Sequence, residues 1–151
     1  MRTLGVFAIC LLLAATVTAE EKKLKRSDLP SAVEKTVAAQ SQGATLRGFS
    51  EEQENGQTYY EAKLLVGDHK KDILIDTNGA IVEVEEEVAA DTLPQAVRDG
   101  LNAKAAGAKL LKVESITKHD KLVAYEAKVL NAGKKMEVQV GPDGKPLDRE
   151  E

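Results

Sequence analysis

The sequence has few of the residues that build disulfide frameworks, metal centres or sites of covalent catalysis. It contains one cysteine, Cys10, and two histidines, His69 and His119. A single cysteine excludes an internal disulfide and a zinc site made of several cysteines. Two histidines leave little material for a histidine-based metal or catalytic centre, and we interpret both as ordinary loop residues.

Other absences narrow the function classes further. The chain has no Gly-rich phosphate loop, no His-Glu-x-x-His motif and no nucleophile elbow, so the sequence predicts a protein that is not an enzyme and needs no cofactor. Its formal net charge is -4, whereas phosphate binding needs a basic surface, and this argues against a nucleic-acid partner. With 42% apolar residues, the chain has enough material for a folded core.

The first nineteen residues have the three parts of a secretory signal peptide. Arg2 supplies the positive start, and Leu4–Ala15 is an apolar run interrupted only by Gly5. Small or modest residues then precede an expected cleavage site after Ala19, and a charged segment follows. We therefore expect a periplasmic or secreted protein in which residues 1–19 are the signal peptide and residues 20–27 are a charged linker.

Two other interpretations of this segment stay open. An uncleaved leader would anchor the chain, but the apolar run is shorter than the roughly 20 residues that span a bilayer comfortably. A lipoprotein would carry its lipid on Cys10, but Ile9 before it is larger than that signal requires. Cleavage after Ala19 would leave a chain with no cysteine and no stable membrane span.

The rest of the chain contains the same pattern twice. Matching segments follow one another in the same order at a separation of 64 or 65 residues. An ordered series of this kind indicates two copies of one unit, and two copies are too few for an open solenoid. The matches include Asp28–Val33 with Thr92–Val97, Tyr60–Lys63 with Tyr125–Lys128, and Asn78–Gly79 with Asp143–Gly144.

Each copy is expected to begin with a helix. Asp28 or Ser27 is the expected N-terminal cap of the first helix, and Thr92 is that of the second. Gly43 and Gly107 are the expected helix stops. Alternation of apolar and polar residues then predicts several strands joined by tight turns.

The sequence therefore predicts an α+β fold made of two tandem units. Each unit would have one helix followed by a three- to four-stranded antiparallel sheet. The first unit would span residues 28–88 and the second residues 92–148, and we expect the two to pack together because one such unit alone is small for a stable core.

These motifs resemble the PepSY group of domains. The resemblance is carried by the Leu-Pro-x-Ala-Val helix starts, the Tyr-x-Ala strands, and the apolar strand Ile73–Ile75 that ends in Asp76 and a turn. The tandem layout is similar to the PepSY-like, β-lactamase-inhibitor-protein-like branch, over about residues 28–148. The resemblance implies an α+β fold and an extracytoplasmic binding or inhibitory role without a catalytic motif. PepSY units also occur in protease propeptides, where a restraint on the enzyme is implied.

Four residues are candidates for contact with a protein or peptide partner. Strand alternation places Tyr59 and Tyr60 on opposite faces. Because Tyr60 matches Tyr125, we assign those two to the core and keep Tyr59 as the candidate contact residue. The other candidates are the carboxylates expected in the neighbouring turn: Glu51, Glu52 and Glu54.

Charge supports this hypothesis and one alternative. Residues 20–91 carry a net charge of -7 and residues 92–151 one of +2, so the halves attract each other or the first half faces a basic partner. Glu83, Glu85 and Glu87 alternate and would share a strand face, where carboxylates are suitable ligands for Ca²⁺.

We therefore expect an exported, non-enzymatic protein that binds or restrains a protein or peptide partner. The alternative is an acidic cation-binding protein of the cell envelope.

Overall fold

A computed structural model of the protein describes residues 21–149 and residue 151. The expected signal peptide and its cleavage site after Ala19 lie outside the described residues. Within the described part, no helix combines the length and the apolar character needed to cross a membrane.

The fold is mostly β. Its strands are β1 (Lys22–Leu24), β2 (Thr45–Glu54), β3 (Gln57–Val66), β4 (His69–Asp76), β5 (Ile81–Val88), β6 (Lys109–Lys118), β7 (Lys121–Asn131) and β8 (Lys134–Val140). Two α-helices, α1 (Ser31–Gln40) and α2 (Gln95–Ala105), and a short 3-10 helix (Arg26–Asp28) complete the described part.

The strands form one continuous antiparallel sheet in chain order, from β1 to β8. The prediction of an α+β fold with two tandem helix-plus-sheet units is therefore wrong. β5 pairs with β6 from Glu83 opposite Lys118 to Val88 opposite Val113, and this pairing joins the two expected sheets. Without it, both strands would present unpaired backbone N–H and C=O groups at exposed edges.

Both helices begin directly after a proline. Pro30 and Pro94 take the N-cap positions, with φ of -57° and -54°, and neither helix has a side-chain cap. The expected caps have other roles: the Asp28 carboxylate accepts the Lys25 N–H at 2.9 Å, and the Thr92 hydroxyl donates to the Ala89 carbonyl at 2.7 Å. A fixed φ near -65° suits a helix start, but proline has no side-chain acceptor, so both helices begin without a side-chain cap.

The helices lie on the same side of the sheet and bury two separate apolar clusters. Val33 and Val37 of α1 pack on Leu64, Ile73 and Ile75 of the first strands. The second cluster is built in the same way around α2; its buried members are Leu93, Val97, Leu101, Ala105, Val113, Ala127, Val129, Val138 and Val140.

Tyr60 and Tyr125 lie on the helix side of the sheet. Each packs against one of the two clusters and is partly rather than fully buried. The sequence therefore predicts the correct side of the sheet for both tyrosines. Their rings lie at the margins of the clusters rather than inside them.

Candidate binding face

The side of the sheet away from the helices, here called the helix-free face, carries a dense array of charged side chains. Ala62 and Leu64 of β3 point to the helix side, so Glu61 and Lys63, which alternate with them, point to the helix-free face. The same alternation across β2–β7 adds the acidic residues Glu52, Asp72, Glu83, Glu85, Glu87, Glu114 and Glu126 and the basic residues Lys112, Lys118 and Lys128.

Part of this charge is neutralised within the face. The Lys63 ammonium lies 2.9 Å from Glu61 and 3.2 Å from Glu21, and the Ser50 hydroxyl donates to Glu61 at 2.8 Å. These partners raise the pKa of Lys63 well above its ordinary value, the hydrogen bond to Glu61 being the largest cause. This cluster is held together, so Lys63 has little free charge for a ligand.

A second neutralised cluster surrounds Glu114. Glu114 is only 3% exposed, and its carboxylate is bound by the Lys112 ammonium and lies 3.8 Å from that of Lys128. Lys128 also lies 3.3 Å from Glu137 on β8. A carboxylate this deeply buried is stable only when paired, so we interpret the cluster as structural.

Beside the first of these clusters, and bordered by its Glu61, lies a shallow depression with a surplus of carboxylates. Its volume is about 410 Å³, and it is lined by Glu52, Gln53, Glu54, Asn55, Glu61, Asp72, Ile73, Leu74, Glu83 and Glu85. Within the described part of the chain, the carboxylates of Glu52, Asp72 and Glu85 have no ion pair. Burial is the largest cause that raises the pKa of Glu52 and of Asp72, and the nearby Glu61 is the second.

Glu85 is the most strongly perturbed of these groups. It lies in the middle of the sheet, opposite Asp72 on one side and Ile116 on the other. Burial raises its pKa to about 7, and repulsion from Glu83 and other carboxylates adds to the effect. Glu83 is less perturbed, since Lys118 at 3.6 Å partly compensates its burial. The depression therefore holds carboxylates whose pKa values are raised by burial and by one another, and of which Glu52, Asp72 and Glu85 have no ion pair within the described part of the chain.

The expected contact residues are divided between the two sides of the sheet. Glu51, Glu52 and Glu54 lie on β2 rather than in a turn, and the turn itself is Asn55–Gly56. Glu52 and Glu54 line the depression, whereas Glu51 is opposite Tyr60 and so faces the helix side. A position in a strand, unlike one in a turn, sends consecutive side chains to opposite faces.

Tyr59 is on the helix-free face, opposite Glu52 and Asp76. Its hydroxyl donates to the Gln57 side-chain oxygen at 2.6 Å, and the ring is half-buried. It lies in a second, adjoining hollow with Gln57, Asp76 and His119 rather than in the acidic depression.

The three glutamates of the cation hypothesis share a strand face, as expected, but they are spread along it. Alternate residues of a strand are about 7 Å apart, too far for Glu83, Glu85 and Glu87 to bind one ion together. Glu87 instead accepts the backbone N–H of Lys70 at 3.3 Å. In residues 21–149 and 151, no three or more His, Cys, Asp or Glu side chains are grouped to hold a metal ion.

Sequence reasoning missed several members of the face. Asp72, Glu114 and Gln139 were not expected to be functional, and nothing local marks them. The available signal was alternation: charged residues recur at every second position of β3, β5 and β7, and only strand pairing brings the three rows together.

No family model matches the chain, and no curated protein matches it. Several solved structures are similar. A DUF2874 family protein from Bacteroides ovatus is 21% identical, with 80% of this chain and 85% of that chain covered and a TM-score of 0.61. A protein from Bacteroides eggerthii, provisionally described as periplasmic, is 16% identical, with 79% and 86% covered and a TM-score of 0.64.

A BLIP-like protein from Bacteroides fragilis is also similar, with 20% identity, 79% of this chain and 83% of that chain covered, and a TM-score of 0.59. This likeness agrees with the β-lactamase-inhibitor-protein-like resemblance in the sequence. At such identities it shows a shared fold. The chain thus has the fold of these Bacteroides proteins, one of them BLIP-like and one assigned provisionally to the periplasm.

Proposed function

We propose that the protein is an exported, non-enzymatic member of the PepSY-like group that binds a protein or peptide partner on its helix-free face. The observation that carries this proposal is the acidic depression. It holds half-buried carboxylates, Glu52, Asp72 and Glu85, that form no ion pair within the described part of the chain. A lysine or arginine side chain of a partner would supply the missing cation.

Electrostatics indicate how such a partner would gain affinity. The pKa of Glu85 is raised to about 7 because burial and neighbouring carboxylates disfavour its charged form. A cation placed beside Glu85 favours the charged form, so binding would release a proton at and below neutral pH. A basic segment therefore fits this surface better than an acidic or apolar one.

Export is the other part of the proposal. It is supported by the signal-peptide pattern of residues 1–19 and by the similarity to a Bacteroides protein provisionally described as periplasmic. The resemblance to the β-lactamase-inhibitor-protein-like branch implies an inhibitory role. The protein would restrain its partner by covering part of the partner's surface with the helix-free face.

The test is affinity capture with residues 20–151 as bait from the exported fraction of the source organism, followed by titration of the captured protein. We expect the doubly neutralised variant Glu52→Gln/Glu85→Gln to bind at least about tenfold more weakly, as loss of two charge contacts implies. Asp91→Asn, an exposed carboxylate in the linker before α2, is the matched control and keeps wild-type affinity. Equal affinity of both variants, or no captured protein with a folded bait, would overturn the proposal.

Calcium binding is the second outcome to measure. A rise of the melting temperature in Ca²⁺ that disappears in the variant Glu83→Gln/Glu85→Gln/Glu87→Gln would favour the cation hypothesis. The separation of these side chains along β5 predicts no such rise.

A further inference from the structure

Gln139 on β8 is a buried polar residue whose amide holds main-chain atoms of another segment. It is 5% exposed and lies on the helix-free face, opposite Glu126 of β7. The Glu151 backbone N–H donates to Gln139 Oε1 at 2.8 Å, and Gln139 Nε2 donates to the Glu151 main-chain oxygen at 3.4 Å. One side-chain amide thus binds both the donor and the acceptor of a single residue, as a neighbouring strand would.

The side chain of Glu151 is bound as well. Its carboxylate lies 3.4 Å from the Lys118 ammonium at the end of β6. Gln139 orients its own amide through a second bond, in which Nε2 donates to the Glu126 carboxylate at 3.0 Å. The main chain and the acidic side chain of one residue are therefore both recognised, from β8 and from β6.

Glu151 consequently crosses β7 on the helix-free face. Between Gln139 and Lys118 the strand register places Ala124 of β7 and its cross-strand partner Ile116. They are 0% and 1% exposed, although neither belongs to the two helix-side clusters. Hydrogen bonds to the main chain, combined with a place for the side chain, are how a β-sheet surface recognises one residue of a peptide.

We propose that Gln139, Lys118 and the Ala124–Ile116 floor form a subsite for an acidic residue of an extended peptide, and that Glu151 fills this subsite in cis. The inference goes beyond the proposed function. It concerns β6–β8. Lys118 also lies 3.6 Å from Glu83 at the border of the acidic depression, so the two sites share this ammonium, whereas the Gln139 contacts do not involve the depression. An acidic peptide segment from another molecule would have to displace Glu151 to bind.

The test uses the full chain labelled with ¹⁵N, the Glu151→Pro variant, and a synthetic peptide of residues 145–151. Proline has no backbone N–H and no side-chain carboxylate, so Glu151→Pro removes both the donor to Gln139 Oε1 and the ion pair with Lys118. We expect the side-chain amide signal of Gln139 to differ between wild type and variant. Added peptide should restore the wild-type position in the variant and leave the wild-type protein unchanged.

A second peptide, in which Glu151 is replaced by lysine, is the matched control and should bind about tenfold more weakly, because Lys118 repels it. Two results would overturn the inference. One is a Gln139 amide signal that is the same in wild type and Glu151→Pro. The other is a variant whose Gln139 signal does not respond to the acidic peptide, or responds equally to both peptides.

Discussion

Gly144 lies with its backbone directly against Gly100 of α2. A Cβ atom on Gly100 would overlap the Gly144 carbonyl oxygen, and one on Gly144 would overlap the backbone of Ala96. The first helix has a related contact with the turn after β4, where the Thr36 hydroxyl donates to the Gly79 carbonyl at 2.6 Å. Each helix therefore contacts the turn that follows one of the strands it covers: α1 contacts the turn after β4, and α2 the turn after β8.

Gly100→Ala is expected to destabilise the protein by about 1–3 kcal/mol through overpacking. In an unobstructed helix the same substitution stabilises by about 1 kcal/mol, so the sign of the effect identifies the contact. The measurement is urea denaturation. Gly48→Ala is the control, because a Cβ at Gly48 meets nothing within 4 Å and its backbone is not in the left-handed region. A stabilised Gly100→Ala protein would contradict the close contact.

Glu85 should make folding stability depend on pH. Its folded pKa of about 7 exceeds the ordinary value of 4.5, so the folded state binds a proton more readily than the unfolded state. The contribution of Glu85 to the free energy of unfolding is therefore fully retained below about pH 4.5 and is lost as the pH rises to about 7. Glu85→Gln should remove much of this decrease and be more stable than wild type at pH 8, by on the order of 2 kcal/mol.

Denaturation midpoints from pH 5 to pH 8 measure this effect. Glu86→Gln, one position along β5 and beside Lys71 at 3.8 Å, is the matched control and should keep the wild-type pH dependence. A Glu85→Gln variant with the same slope as wild type would show that Glu85 is not the group responsible.

Glu114 should be far more important for stability than its neighbour Glu137. Glu114→Gln leaves Lys112 and Lys128 facing a buried neutral amide, and loss of one partner of a buried ion pair costs about 3–5 kcal/mol. The Glu137 carboxylate is 57% exposed, so Glu137→Gln should cost less than about 1 kcal/mol. Urea denaturation of both variants decides between these roles, and equal effects would show that the Glu114 cluster is not structural.

The continuous sheet predicts that both halves unfold together. Tyrosine fluorescence can follow each half, because Tyr59 and Tyr60 lie in β3 and Tyr125 lies in β7. In Tyr125→Phe the remaining fluorescence comes from Tyr59 and Tyr60 and reports on the first half. In Tyr59→Phe/Tyr60→Phe it comes from Tyr125 and reports on the second half. We expect each variant's fluorescence to change at the midpoint that circular dichroism gives for the same protein. Separate transitions would indicate that the β5–β6 pairing is weak.

Much of the local structure is predictable from the sequence. Period-two alternation over Tyr59–Val66 predicts a strand, which lies within the observed β3, and the turn at Asn78–Gly79 joins β4 to β5. The short strand β1 and the strand position of Glu51, Glu52 and Glu54 were missed. Charged residues in a row give no local sign of strand structure, since the place of β1 in the sheet comes from pairing with β2 and that of the β2 glutamates from pairing with β3.

The candidate site was predictable only in part. Glu52, Glu54, Glu83 and Glu85 were singled out by their charge, and the structure places them around one depression. Asp72 could not be connected with them, because it reaches Glu85 through the pairing of β4 with β5. Which carboxylates form ion pairs and which do not likewise depends on distances between strands, and the sequence does not give these distances.

The sequence by itself determined the two helices and most of the strands and turns, because these depend on periodicity, proline and glycine within a few residues. It also excluded disulfide and cysteine-zinc chemistry through its single cysteine. The tertiary structure decided that β5 and β6 join two expected sheets into one, and therefore which carboxylates share a face. Strand pairing is a long-range backbone interaction, and the alternating pattern of each strand is equally compatible with one sheet or with two.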